Sequence, residues 1–126
     1  MVKIIFSLVI AMNPCLREIN ISDKEEIINF CKEVKKIDAE NTFEGLSIIK
    51  NVDSCDFEDL LNELEQAKNI QDIKQHLVNQ TTFILFDGNE IALGGVNIRH
   101  KLNEKLLKHG GHIGVLIRPS ERRKVY

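Results

Sequence analysis

Nearly every position from Ile4 to Met12 is apolar, and the run KIIFSLVIA is rich in β-branched residues, which predicts a strand buried on both faces. Pro14 breaks the run, and CLREIN after it alternates apolar and polar positions as a short strand does. Ser22 followed by Glu25 has the spacing of a capping box, so a helix is expected to start at Asp23. Its apolar residues Ile27, Ile28, Cys31 and Val34 fall on one stripe and leave Lys24, Lys32 and Lys35 outside. The stretch IDAENTFEGLSII has no clean period and contains Gly45, and it reads as loop with room for a short turn. A second helix is predicted from about Asp56 to Lys68, with Phe57, Leu60, Leu61 and Leu64 toward the core and Ser54 or Asp53 as its cap. NIQDIKQHLVN allows one or two further helical turns, while KEVKK and NELEQ read as solvated helix faces.

TTFILF and IALGGVNIR flank the turn DGNE and predict a β-hairpin, because Asp-Gly accepts the positive φ that tight primed turns need. Gly94 and Gly95 inside the second strand predict a bulge or a close approach by another group. LNEKLLKH carries Leu102, Leu106 and Leu107 at helical spacing and predicts a short helix ended by Gly110. HIGVLIR reads as the last strand, closed by Pro119. Strands and helices mix along the chain, so the expected class is a single α+β or mixed α/β domain.

Composition narrows this picture. At 126 residues and 43% hydrophobic, the chain suffices for one domain with a core. Seventeen basic against nineteen acidic residues leave a net charge of −2, which supports neither nucleic acid nor an anionic membrane as a partner. Only the last nine residues are locally basic, with Arg118, Arg122, Arg123 and Lys124 against Glu121. Cys15, Cys31 and Cys55 are odd in number and in no CxxC spacing, which suggests reduced, buried thiols in a cytoplasmic protein. The N-terminus is open to two other readings. Lys3 and the apolar run resemble a short signal peptide, although AMNPC offers no small-x-small cleavage site. Alternatively, the run is an upstream extension, with Met12 as the natural start.

Two clusters could carry chemistry. A strand that runs into a basic turn lets backbone N–H groups and cationic side chains converge on phosphate, and RRKVY has that charge without glycines. His100, His109 and His112 lie close in sequence but share no helix face and have no carboxylate at ligand spacing, so no metal site is expected.

From Pro119 onward, PSERRKVY resembles the cofactor loop of the GNAT superfamily of N-acetyltransferases, in the form P-x-x-R-x-x-G-x-G. GNEIALGGVNIRHKLNEKLLKHGGHIGVLIRPSERRK is similar to one branch of that superfamily, and LREINISDKEEI resembles its first strand and helix. The resemblance implies the N-terminal half of a GNAT fold, with mostly antiparallel strands and two main helices on the sheet. It implies acetyl transfer from acetyl-coenzyme A to a small-molecule amine. Val115, Leu116 and Ile117 would lie on the strand that pairs with the pantetheine arm. Arg122, Arg123, Lys124, Val125 and Tyr126 would begin the pyrophosphate loop. His112 stands ten residues before Arg122, where some relatives carry a glutamate base, and an imidazole could deprotonate an amine there. Asn97 and Glu104 are further candidate lining residues, and Asp38, Glu40 and Glu44 could attract a cationic amine.

Val125 occupies the position of the first loop glycine, and the second glycine, a further helix and a fifth strand are not in the sequence. The expectation is therefore an impaired or inactive chain when alone. The alternative is a non-catalytic remnant or assembly module. In that reading the exposed edge of the fourth strand pairs with a second copy as a homodimer, or KIIFSLVIA folds back onto the sheet.

Overall fold

The computed structural model describes residues 14–37, 46, 49–53, 55–69, 79–100 and 112–122. The predicted strand before Pro14, the loop at 38–45, the turns at 70–78 and the helix at 102–109 lie outside them. The elements are β1 (Cys15–Arg17), a 3₁₀ turn (Ile21–Asp23), α1 (Lys24–Ile37), α2 (Phe57–Ala67), β2 (Gln80–Phe86), β3 (Ala92–Arg99), β4 (Ile113–Ile117) and a second 3₁₀ turn (Pro119–Glu121). Among the described residues the strands form one antiparallel sheet in the order β1-β2-β3-β4 with two helices, so the fold is mixed α/β. Among the described residues, no helix is long and apolar enough to cross a membrane.

The helices start on caps other than those the sequence suggests. Asn20, not Ser22, begins the first helical turn: its side chain accepts the Ser22 N–H at 3.0 Å, and its own N–H donates to Asp23 Oδ2 at 2.8 Å. The reciprocal pair satisfies two of the donors a helix start leaves open. Asp56 caps α2 by accepting from the N–H groups of Glu58 and Asp59, whereas Asp53 is held by Lys35 Nζ at 2.8 Å. Ser54 lies outside the described residues.

The apolar stripe of α1 is Ile27, Phe30, Cys31 and Val34, all fully buried, with Ile28 at its margin. Phe57 and Leu60 of α2, together with Leu46, Ile49 and Val52, complete a core against Ile84, Phe86, Ala92 and Leu116 of the sheet. Only one of the three free cysteines is buried. Cys31 sits in the core, where burial pushes its thiol pKa up, but Cys15 and Cys55 are exposed, which corrects the expectation for those two.

The hairpin between β2 and β3 is wider than Asp-Gly suggests. Asp87 N–H donates to Ile91 O at 2.9 Å, and the Asp87 side chain accepts the N–H groups of Asn89 and Ile91. Three residues therefore turn the chain, and the left-handed position falls on Glu90 with φ 62°. Beyond it, Phe86 pairs with Ala92 while Leu85 pairs with Gly94, so Leu93 is the extra residue of a β-bulge. The adjacent glycines answer a close approach as well. A Cβ on Gly94 would lie 2.7 Å from Leu116 O, and one on Gly95 2.6 Å from Leu46 Cδ2.

Candidate functional site

The strand β4 and the turn that follows it hold most of the described candidates. In an antiparallel ladder, alternate residues point their backbone groups at the partner strand and away from it. Arg99 N–H donates to His112 O at 2.8 Å and Arg118 N–H to Leu93 O at 2.9 Å, so even-numbered residues of β4 face β3. The N–H and C=O groups of Ile113, Val115 and Ile117 consequently point to the outer edge. Among the described residues, no strand pairs with that edge. Val115 and Ile117 thus present the backbone groups expected of them. Leu116 does not: its backbone is turned to β3 and its side chain is 4% exposed, in the core.

The same alternation sends Gly114, Leu116 and Arg118 to the helix side of the sheet. Arg118 is mostly cut off from water there, with its side chain 13% exposed, and two carboxylates of α1 compensate its charge. Its NH1 donates to Glu26 Oε2 at 2.8 Å and to Ala92 O at 3.1 Å, and its Nε donates to Glu33 Oε1 at 3.1 Å. Glu26 and Glu33 stand seven residues apart, two helical turns, and so share one face of α1. Glu26 Oε2 also accepts the Ala92 N–H at 2.7 Å, and Glu33 Oε2 the Ser120 N–H at 3.0 Å. The clamp fixes the end of β4 and the Pro119–Glu121 turn onto α1. It removes Arg118 from the basic tail and corrects the reading of KEVKK as a solvated face, since Glu33 is part of that run.

Arg122 follows the turn, and its Nε donates to Ile117 O at 3.0 Å, which covers one acceptor of the edge. Arg123, Lys124, Val125 and Tyr126 lie outside the described residues, as do Glu104, His109, Asp38, Glu40 and Glu44. His112 is exposed at the opposite end of β4, where its Nδ1 lies 3.3 Å from Arg99 O. The structure therefore brings Val115, Ile117 and Arg122 to one edge and holds His112 at the far end of β4, five residues or about 17 Å from Ile117. Asn97 is buried; its Nδ2 donates to Thr82 Oγ1 at 3.0 Å and its Oδ1 has no partner among the described residues. His100 engages Thr81 Oγ1 at 2.9 Å.

Two carboxyls near this framework titrate below their ordinary range. Burial opposes the charged form of Glu33, but the Ser120 N–H and hydroxyl and the Arg118 guanidinium outweigh it. Burial likewise opposes charge on Asp23, and the Arg17 fork with the Asn20 N–H overcomes it, at 2.8 and 2.9 Å for the two Arg17 bonds. A lowered folded pKa stabilises fully above the unfolded value, about 4 for these groups, and the contribution is lost as pH falls through the folded value. Melting temperature followed by circular dichroism is expected to drop below about pH 4, and Glu33→Gln to flatten that drop. Parallel curves for the two proteins would refute the assignment.

The Arg118 clamp was missed at the level of sequence, although one signal for it exists. Strand alternation alone puts the guanidinium on the buried face, and such a charge requires carboxylate partners. Searches against protein-family models, curated proteins and solved structures found no match to this chain.

Proposed function

We propose that this chain is a GNAT-type N-acetyltransferase domain that binds acetyl-coenzyme A along the outer edge of β4. The observation that carries the proposal is the row of edge-directed backbone groups at Val115 and Ile117, running into the turn where Arg122 begins. That row suits an arm containing two amides, because Val115 supplies a donor and an acceptor at peptide spacing. Bound acetyl-coenzyme A supplies an activated acetyl group for attack by a primary amine. Arg122 stands at the phosphate end of the row, with Arg123, Lys124, Val125 and Tyr126 following it in sequence. The extended arm spans on the order of 15 Å, the length of four to five extended residues. That reach takes the reactive end toward His112, which we assign the role of proton acceptor from the attacking amine. The exposed thiols of Cys15 and Cys55 fit a reducing cytoplasmic setting. The acceptor in this reading is a small amine rather than nucleic acid or a membrane.

Isothermal titration with acetyl-coenzyme A tests the reading, using Val115→Pro as the decisive variant. The Val115 N–H points away from the ladder, so proline there removes an edge donor and leaves the pairing with β3 intact. Binding is expected for the parent chain, and about tenfold weaker binding for the variant, the worth of one hydrogen bond. Absence of heat at millimolar ligand, or equal affinities, would reject the proposal. A second reading has the same edge pairing with the β4 of another copy, and the edge-directed N–H and C=O of Val115 favour it, since no strand pairs with that edge among the described residues. Light scattering separates the two: a dimer without ligand that Val115→Pro dissociates supports assembly.

A further inference from the structure

On the side of the sheet that faces the helices, the apolar core gives way to polar residues toward one end. Register sets three rows there across β2, β3 and β4. Ile84 and Leu116 flank Gly95 in the first row and belong to the core. Thr82, Asn97 and Gly114 form the second row, and Gln80, Arg99 and His112 form the rim. Asn97 and Thr82 are 4% and 7% exposed, whereas His112 is exposed. Asn97 Nδ2 donates to Thr82 Oγ1, which fixes the amide, and its carbonyl Oδ1 is buried with no partner among the described residues. A buried carbonyl without a donor carries the full cost of leaving water, and a leucine of the same branched shape would carry none. Such a group in a folded domain calls for a reason other than packing.

We propose that Asn97 Oδ1 is the acceptor that binds an N–H of the substrate amine. The assignment rests on the acetyltransferase reading and names the group that holds the second substrate. The open end of the amide selects the ligand. A carbonyl oxygen only accepts, so its complement is a donor, and the Nδ2 end is already taken by Thr82. Gly114, the partner of Asn97 on β4, brings no side chain to the row, so β4 sets nothing against the carbonyl. His112 is the diagonal neighbour of Asn97 across the β3–β4 ladder, about 7–8 Å away on the same face. Its Nδ1 lies 3.3 Å from Arg99 O, so the ring leans over β3, the strand that carries Asn97. A nitrogen bonded to Asn97 is then one side-chain length from the proton acceptor. Asn97 takes no part in proton or acetyl transfer; it positions the amine, and His112 receives the proton. The ligand class follows: amines with at least one N–H are held, and quaternary ions are not.

Nuclear magnetic resonance of the ¹⁵N-labelled full chain, titrated with butylamine and separately with butyltrimethylammonium, tests it. Both are cations at neutral pH with the same alkyl chain, and only the first has an N–H. In the parent chain butylamine is expected to shift the Asn97 side-chain amide signals. It should also bind at least tenfold more tightly than the quaternary ion, the worth of one hydrogen bond. Asn97→Leu keeps the branched shape and removes the acceptor, so the two affinities, followed at the Gly114 amide, are expected to become equal. Circular dichroism checks folding, and Thr82→Val, which releases the amide, is a second variant expected to reduce the preference. A preference that survives in Asn97→Leu would overturn the proposal, because the bulk of the quaternary ion would then explain it. So would equal affinities in the parent, or binding of butylamine that leaves the Asn97 signals unmoved. Acetyl-coenzyme A titrated alongside separates this proposal from the reading beneath it. A chain that binds the cofactor without the Asn97 response fails this proposal alone. One that gives the Asn97 response without binding the cofactor supports the amine site and rejects the acetyltransferase reading.

Discussion

Arg118→Ala is expected to lower folding stability by about 3 kcal/mol, the lower end of the range for breaking a buried ion pair by removing one partner. The side chains of Arg118, Glu26 and Glu33 are 13%, 18% and 26% exposed, so the charges left behind are mostly, not wholly, cut off from water. Three donors vanish with the guanidinium, and Glu26 and Glu33 then face each other's charge along α1 with fewer bonds to hold them. The effect should reach beyond the mutation, because the clamp ties the end of β4 and Ser120 to the helix. Urea unfolding monitored by circular dichroism measures the loss. Replacing all three residues together, Arg118→Met with Glu26→Gln and Glu33→Gln, should recover much of it, since no unpaired charge remains. A loss below about 1 kcal/mol for Arg118→Ala would class the cluster with ordinary surface pairs.

Phe30→Ala is expected to cost about 3–5 kcal/mol. Phe30 is completely buried and lies on the stripe of α1 that meets the sheet, between Ile27 and Val34. Removing its ring forfeits the transfer free energy of the phenyl group and leaves a cavity lined by a core that cannot fully collapse. Leu64→Ala on α2 is the control. Leu64 is only partly buried against the same cluster, so its loss should be clearly smaller. Against a typical domain stability of about 5–15 kcal/mol, that loss is a large fraction of the total. Equal costs for Phe30→Ala and Leu64→Ala would mean that α1 is not packed as described.

Periodicity sufficed to read the sheet and both helices. The apolar runs TTFILF and HIGVLIR, bounded by a turn and a proline, and the 3.6-residue stripe of α1 are local signals, and each appears as the element expected. Cap identity was less legible, because Asn20, Ser22 and Asp23 crowd one short stretch and all can accept a backbone N–H. The choice is made by Arg17, which holds the Asp23 carboxylate from the preceding strand. Site residues divide along the same line. Val115, Ile117 and Arg122 are neighbours in sequence and lie on one edge. Leu116 belongs to the core because register, which no local pattern gives, decides which backbone groups face outward. The clamp was out of reach for a further reason: its partners stand 85 and 92 residues apart in the chain, and nothing local pairs Arg118 with α1.

β1 has a consequence for the order of events when the chain folds. The strands β2, β3 and β4 each pair with their neighbour in sequence, whereas β1 meets β2 only across both helices. Closing that long loop returns just three residues of ladder, supplemented by the Arg17 guanidinium 3.9 Å above the Phe86 ring and its fork on Asp23. Local pairings form first because they cost less chain entropy, so β1 docks last and peels away first. The meander of β2, β3 and β4 can stand as a partly folded unit with its first strand undocked.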